Sequence, residues 1–413
     1  MNIVRQIFGF WFILLSGQFV YAQPYAPPLE YNEQVVADSK ELSRLNNEIG
    51  MTLFDRLRSD YGNFVFSPFS VNIAISVARI GAKGDTARQI AKTLQVSPMA
   101  TNSLELLNSE LYLLTNFSTV ESEFKMLNSV WVRSDVPVLA SYMRVATGDY
   151  HAKVSRFTST NSRIAFLDLN GWLNGPQPWT YEDVRPFKNL NDSTKLVYSA
   201  AISFKAPWLQ TFVKASTRNA VFYTATNGSV FVPTMQSLCR YSFSENEDWR
   251  LLEIPLFSYP EQLEILIPKS GQGLDDSHNV LTTYSLEELI RTCTNDLGLV
   301  SIPRFGIESR FDLGKVLSEI GMSGAFIEKE ADLSALSQVK PIAISALLHG
   351  ASISVDEAGV ETAAESLSYN RGPFPELPKG TNFKVDRPFV LIIRDNVSGT
   401  ILFMGQVVNP ALH

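Results

Sequence analysis

Residues 349–389, HGASISVDEAGVETAAESLSYNRGPFPELPKGTNFKVDRPF, decide the fold of this chain. Their first part, 351–356, alternates small or apolar residues with polar ones, a pattern typical of a β-strand. The run 357–366 consists mostly of small residues and has no apolar stripe that could form a core, which is typical of an exposed segment. Three prolines between positions 373 and 378 then predict a loop.

Residues 360–372 would fit the middle of a sheet if they became a strand. Side chains alternate between the two faces of a strand. One face would carry only small or uncharged residues: Val360, Thr362, Ala364, Ser366, Ser368, Asn370 and Gly372. The opposite face would carry the charged and bulky ones: Glu361, Glu365, Leu367, Tyr369 and Arg371. The segment could therefore insert into a sheet without burying a charge, and we interpret it as a strand that has yet to form.

These stretches resemble one known family. The hinge of the reactive-centre loop of serpins is similar to a segment that comprises Glu357, Ala358, Gly359, Val360, Glu361, Thr362, Ala363 and Ala364. Residues 386–389 and 401–405 resemble the strands that close the serpin fold. The resemblance implies an α+β fold of about nine helices around three β-sheets, with an exposed reactive-centre loop at about 357–382.

The resemblance also implies a function. A target protease cleaves the loop of a serpin, the loop inserts as an extra strand into the large sheet, and the acylated protease is carried away and distorted. We therefore expect a metastable inhibitor that acts as a suicide substrate of a serine protease. The alternative is a non-inhibitory serpin, a binding, carrier or chaperone-like protein whose loop never inserts.

The sequence offers several candidates for the bond that the protease would cut and does not decide between them. Counting the family's distance from the hinge residue Glu357 gives Pro373-Phe374, although few serine proteases accept proline before the cleaved bond. Arg371-Gly372 suits a trypsin-like enzyme but lies two residues nearer the hinge. Prolines at the cleaved bond or within the inserting segment disfavour three further bonds: Phe374-Pro375, Leu377-Pro378 and Lys379-Gly380.

Five residues outside the loop receive roles from the resemblance alone. Trp208 would lie where the loop first enters the sheet. A buried polar network beneath the sheet, the shutter, would contain Ser67, Ser70, Ser199 and His349. Ser199 stands where we expect an asparagine in serpins, and a serine offers fewer hydrogen-bonding groups to such a network.

Other stretches predict regular elements. Residues 38–59 carry apolar side chains at steps of three and four, typical of an amphipathic helix. Within 63–70 a short strand gives way to a helix with Ser67 as its N-cap, followed directly by proline. The apolar run 196–208 is typical of a central strand in a buried sheet. Residues 389–403 predict a β-hairpin.

Residues 1–22 predict a secretory signal peptide. Arg5 supplies the positive charge, residues 7–20 form the apolar region, and 20–22 end in a small-residue cleavage site. This apolar run is too short for a membrane helix, which needs about 20 residues. We therefore expect a secreted, extracellular protein with one domain over residues 23–413.

Composition and motifs limit the classes of partner that this chain is expected to bind. A net charge of −7 without a Lys/Arg cluster disfavours nucleic acid and membrane surfaces, and no metal or cofactor motif is found. We expect a monomer whose partner is an extracellular serine protease. Two cysteines, Cys239 and Cys293, are too few for a disulfide framework, and separate free thiols are favoured over one bridge. Four sequons predict glycosylation sites at Asn116, Asn191, Asn227 and Asn396.

An enzyme is not expected. A serine hydrolase needs a nucleophile, a base and an orienting acid, and only four histidines are present. The nucleophile-elbow motif G-x-S-x-G is missing, since residues 321–324 end one position short of it. His349 is better interpreted as a hydrogen-bonded structural residue than as a catalytic base.

Overall fold

A computed structural model of the chain describes residues 33–58, 62–96, 122–157, 193–225, 228–257, 261–269, 274, 281–360 and 382–412. The predicted signal peptide lies outside these ranges.

Seven α-helices lie in the described residues: α1 (Glu33–Leu57), α2 (Pro68–Ile80), α3 (Gly84–Thr93), α4 (Ala140–Gly148), α5 (Thr283–Arg291), α6 (Gly314–Leu317) and α7 (Ser323–Phe326). A π-helical segment, Ser318–Met322, joins the last two, and Lys214–Ser216 form a 3-10 turn. The start of α2 is as predicted, because the Ser67 hydroxyl accepts the backbone N–H of Ser70 and proline follows it.

Fifteen strands accompany them in the same ranges. They are β1 (Phe64–Phe66), β2 (Glu123–Arg133), β3 (Lys153–Phe157), β4 (Leu196–Pro207), β5 (Arg218–Tyr223), β6 (Ser229–Glu245), β7 (Trp249–Pro255), β8 (Glu261–Pro268), β9 (Thr294–Pro303), β10 (Phe305–Asp312), β11 (Ala346–Val355), β12 (Gly359–Val360), β13 (Phe383–Lys384), β14 (Phe389–Asp395) and β15 (Ile401–Val407).

Nine strands form one sheet with the order β1-β15-β14-β8-β7-β6-β9-β13, and β5 pairs with β6. The strands β14 and β15, which lie next to the edge strand β1, are deeply buried, because every one of their residues is buried. These two strands are the predicted hairpin. We predicted three sheets, but hydrogen bonds join the described strands into two. The reason is β6, whose 17 residues pair with β5 and β9 along one part and with β7 at the end.

Six strands form the second sheet, in the order β10-β11-β12-β4-β2-β3. The predicted central strand is β4, which pairs with β2 on one side and with both β11 and β12 on the other. Helix α2 contacts β2 and β4 and is buried along almost its whole length. The face of this sheet that looks toward α2 is called the inner face below.

Candidate functional site

The central feature of the six-stranded sheet is a parallel junction, here called the seam, where β11 residues 346–351 pair with β4 residues 197–202. Above the seam the two strands are no longer paired with each other. The chain instead turns back after β11 and runs between them as β12, where Val360 pairs with Val355 on one side and Ala206 on the other. Val360 is fully buried. The predicted hinge therefore begins as a strand wedged into the sheet.

A tight turn carries the chain from β11 into this wedge. The Asp356 carboxylate accepts the backbone N–H of Ala358 at 2.8 Å, and the Asp356 N–H donates to the Gly359 carbonyl at 3.0 Å. A Cβ atom on Gly359 would lie 2.2 Å from the Ala206 carbonyl oxygen, far inside contact distance. Only glycine lets the hinge approach β4 this closely.

Trp208 lies beside the hinge, as the resemblance implies. Its indole N–H donates to the Asp356 carbonyl at 2.7 Å, and its backbone N–H donates to the Ala358 carbonyl at 3.0 Å. The ring is 1% exposed and packs edge-on against Phe212. These contacts hold the turn at the end of β4.

Glu357 anchors the hinge electrostatically. Its side chain is 1% exposed and forms an ion pair with Arg304, whose Nε donates at 2.8 Å, and Thr217 donates a second hydrogen bond. Burial alone would raise the pKa of this carboxyl, but the hydrogen bonds from Arg304 and Thr217 outweigh burial and lower it. The carboxylate is therefore charged at neutral pH and holds the turn to the neighbouring sheet.

His349 lies in the middle of the seam, on the inner face, and is the structural residue that was predicted. Its Nε2 accepts the backbone N–H of Ser67 at 2.9 Å, so its Nδ1 carries the proton and donates to the Ala200 carbonyl at 3.1 Å. Burial lowers the pKa of the imidazole to about 4. The ring thus ties α2, β4 and β11 together only while it is neutral.

The predicted polar network differs in one member. Ser67 and Ser70 lie on the inner side as expected, but the Ser199 hydroxyl lies 2.7 Å from that of Ser129 on the outer face. Alternation along β4 is the physical reason, because Ala200 is the residue opposite His349. Ser199 therefore does not take the place expected for it.

Sequence reasoning missed a polar residue on the inner face. Asn128 of β2 lies opposite Ala200 and is 4% exposed, and its side-chain oxygen has no hydrogen-bond partner among the described residues. Asn128, Ala200 and His349 thus form one row across the sheet. The alternation of β2 could have placed Asn128 on its inner face, but its neighbours follow only from the register.

Several predicted residues can be placed less fully. Of the hinge, Glu361, Thr362, Ala363 and Ala364 lie outside the described residues, as do the reactive-bond candidates Arg371, Gly372, Pro373 and Phe374 and the sequons at Asn116, Asn191 and Asn227. The fourth sequon residue, Asn396, is exposed in the turn between β14 and β15. Cys239 and Cys293 are both free, and burial raises the pKa of each thiol to about 12.

The described ranges hold no group of three or more histidine, cysteine or acidic side chains arranged to bind a metal. Among the helices in these ranges, none combines the length and apolar character needed to span a bilayer.

Comparison with known proteins gives one consistent match. The family model for "Serpin (serine protease inhibitor)" matches residues 44–410. An uncharacterised serpin-like protein of Thermococcus kodakarensis is 30% identical over 93% of this chain and 89% of its own length. The human leukocyte elastase inhibitor is 29% identical over 90% of this chain and 100% of its own length.

Solved structures share the architecture. Human thyroxine-binding globulin, crystallised with its ligand, has a TM-score of 0.77 at 23% identity and covers 90% of this chain and 99% of its own. At this identity the likeness establishes the fold, with its mixed helices and sheets.

Proposed function

This chain belongs to the serpin (serine protease inhibitor) family, and we propose that it is a secreted suicide-substrate inhibitor of an extracellular serine protease. Serpins are protease inhibitors and not catalytic enzymes, so the prediction that this chain is not an enzyme is confirmed.

The observation that carries the inhibitory proposal is the wedge of β12. Insertion of a loop as a central strand begins when its first residues lie between the two strands that separate. Val360 lies there, with β11 on one side and β4 on the other. The turn that delivers it is fixed by Glu357 and Trp208, so the start of insertion is ordered before any cleavage.

Continuing the register of Val360 gives the positions of the next residues in an inserted strand. Each step along the loop would move one residue down β11 and one down β4. Thr362, Ala364 and Ser366 would then lie on the inner face beside residues 353, 351 and 349 of β11. Ser366 would reach His349 and Ala200, where a hydroxyl can replace a lost hydrogen bond.

The outer face suits the loop's charges. Glu361 would lie beside Lys205 of β4 and the exposed Ser354 of β11 in the same register. An opposite charge on the neighbouring strand stabilises a sheet by a few tenths of a kcal/mol. The sequence is thus compatible with insertion on both faces for the length of the seam.

The proposed target is a protease of trypsin-like specificity, because Arg371 is the basic residue of the loop nearest the expected bond. Export is supported by the leader pattern of residues 1–22 and by the exposed sequon residue Asn396. We propose that the protein acts as a monomer in the extracellular space.

The test is incubation of the secreted protein with trypsin and, separately, with chymotrypsin, followed by denaturing gel electrophoresis and mass spectrometry. The proposal predicts a covalent complex that survives denaturation and a released C-terminal peptide that begins at Gly372. A peptide that begins at Phe374 or Gly380 would instead identify Pro373-Phe374 or Lys379-Gly380 as the scissile bond. Cleavage without a complex would overturn inhibition and favour the carrier alternative.

The carrier alternative has one structural point in its favour. The fold matches thyroxine-binding globulin, a protein crystallised with a small ligand, as closely as it matches a heparin-bound protease nexin. Fold likeness alone does not separate these two functions. The wedge of β12 favours inhibition.

A further inference from the structure

A second candidate site is a cavity of about 350 Å³, lined by the C-terminal end of α2 and by α3 and α4. This volume falls in the range of small-molecule sites, which run from about 300 to 1,000 Å³. The lining is mostly apolar and includes Ile80, Ala91 and Val145. A cavity of this kind can accommodate the body of a small organic molecule.

Three arginines line the same cavity: Arg79, Arg88 and Arg144. None of the described residues that line it carries a carboxylate. This is unusual in a chain whose net charge is −7, because cations are scarcer than anions in it. Guanidinium groups in the wall of an apolar cavity favour a planar anion, which they can bind with two parallel hydrogen bonds.

The two arginines nearest solvent are available to a ligand. Arg88 pairs with Asp85, but their side chains are 67% and 80% exposed, and such surface pairs are worth little. Arg144 is exposed and forms no ion pair with a described residue. A carboxylate in the cavity would therefore displace little more than water.

The cavity also contacts the seam through one tyrosine. Tyr142 lines the cavity, and its hydroxyl lies 3.3 Å from the hydroxyl of Tyr198 on β4. Tyr198 is paired with Leu347 of β11 within the seam. Burial raises the pKa of the Tyr142 phenol, so the hydroxyl keeps its proton and its hydrogen bonds at neutral pH. A ligand that moves the Tyr142 ring would therefore act, through Tyr198, on β4, the strand that must separate from β11.

We propose that this cavity binds a small amphipathic carboxylate and that its occupancy changes how readily the seam opens. The carboxylate pairs with Arg88 and Arg144, and the apolar body packs against Ile80, Ala91 and Val145. The binding half of the proposal is independent of the inhibitory function, whereas the control of loop insertion rests on it.

Calorimetric titration of the full secreted chain with dodecanoate, below its micellar concentration, tests the binding half. We expect saturable binding of one dodecanoate per chain. Arg88→Gln and Arg144→Gln should each weaken it by about tenfold, since each removes a charge-assisted hydrogen bond. The matched control Arg291→Gln, an exposed arginine in the last turn of α5, should leave the affinity unchanged. Dodecanol, which has the same apolar body and no charge, should bind at least tenfold more weakly.

Equal affinity of Arg144→Gln and Arg291→Gln for dodecanoate, or equal binding of dodecanoate and dodecanol, would overturn the proposed site.

Amide hydrogen exchange tests whether occupancy of the cavity changes the opening of the seam. Saturating dodecanoate should change exchange in residues 197–202 and 346–351 several-fold, and Tyr142→Phe should abolish that response while changing the affinity by less than about threefold. Unchanged exchange in these segments at saturation would overturn the regulatory half alone. Because both readouts avoid the protease, a failure here is distinguishable from a failure of inhibition.

Discussion

The two sheets of this protein are built on opposite principles. In the nine-stranded sheet, β8, β14 and β15 pair antiparallel and bury every residue of the last two strands. In the six-stranded sheet, the central junction is the parallel seam, and its inner face carries the polar residues Asn128 and His349 on either side of Ala200. The first sheet is stabilised by a largely apolar interior in which the buried Arg394 pairs with Glu253 and Glu264, and the second has a parallel central junction, a pairing that is slightly less stable per residue.

This difference between the sheets determines where the fold can open without unfolding. Separating β4 from β11 exposes fewer large apolar side chains than separating β14 from β15 would. It also breaks the bonds of His349, which are the polar links across the seam that an inserted serine could restore. Under the proposed function, an added strand would therefore be accommodated at the seam, and the nine-stranded sheet would keep its pairing.

The largest expected effect comes from a charge at the wedge. Val360→Arg places a guanidinium at a fully buried position between Val355 and Ala206, where an unpaired charge costs several kcal/mol. We expect complex formation with the target protease to fall more than about 100-fold while the loop is still cut. Densitometry of denaturing gels measures both products.

Ser354→Arg is the matched control, because Ser354 is exposed on the outer face of β11. It adds the same charge near the hinge, on the outer face where Glu361 would lie beside it, and should not reduce complex formation. If Val360→Arg formed the covalent complex as well as the unchanged protein does, insertion of the loop at β12 would be ruled out.

The next largest effect is expected at acidic pH, which should destabilise the six-stranded sheet more than the nine-stranded sheet. The folded-state pKa of His349 is about 4 against an ordinary value of 6.5, so the unfolded chain binds this proton more tightly. Stability from the neutral ring is present above pH 6.5 and is lost as the pH falls toward 4, at a cost of about 3 kcal/mol. In the other sheet, burial raises the pKa values of Glu253 and Asp395, so their protonation favours the folded state.

Amide exchange at pH 7 and pH 5, corrected for intrinsic rates, measures this contrast. We expect the corrected amide exchange rates of residues 197–202 and 346–351 to be higher at pH 5 than at pH 7. Those of β14 and β15 should change little. The reverse order, with β14 and β15 losing protection first, is the outcome that contradicts it.

A smaller effect is expected at the hinge anchor. Glu357→Gln keeps the shape of the side chain and removes the charge that Arg304 and Thr217 bind, which should cost about 2 kcal/mol. The hinge should become more susceptible to limited proteolysis, and the urea midpoint should fall.

Glu319→Gln breaks the exposed pair with Lys315 and serves as the control, with an expected cost below about 0.5 kcal/mol. If both variants changed the urea midpoint equally, Glu357 would be an ordinary surface charge.

The smallest effect belongs to Ser199→Ala. It removes one hydroxyl pair with Ser129 on the outer face, which is worth about 1 kcal/mol. Because Ser199 is on the other side of the sheet from His349, the pKa of the imidazole should stay unchanged in an NMR titration. A shifted imidazole pKa would restore Ser199 to the network from which the structure separates it.

Much of this architecture follows from local sequence. The cap at Ser67, the central strand β4 and the hairpin of β14 and β15 are specified by neighbouring residues, through capping and apolar patterns. The hinge role of Gly359 came from the resemblance, and the structure supplies the physical reason, because a Cβ atom there would clash with the backbone of Ala206.

What the sequence could not supply depends on register and distance along the chain. Ser199 and Ala200 are adjacent, and a shift of one residue exchanges the faces that they occupy. The partner of Glu357 is Arg304, 53 positions away, and nothing in either residue's neighbourhood indicates the other. The joining of the predicted sheets by β6 likewise depends on which strands it meets along its length.

Opening of the seam to admit the loop as a strand can be measured by thermal unfolding of the chain before and after one cut in the loop. The chain is nicked with a limiting amount of protease, the two fragments are kept together, and the unfolding midpoint is compared with that of the uncut chain. We expect a midpoint well above that of the uncut chain, because the added strand would pair with β11 on one side and β4 on the other. A midpoint that stays the same or falls would contradict it.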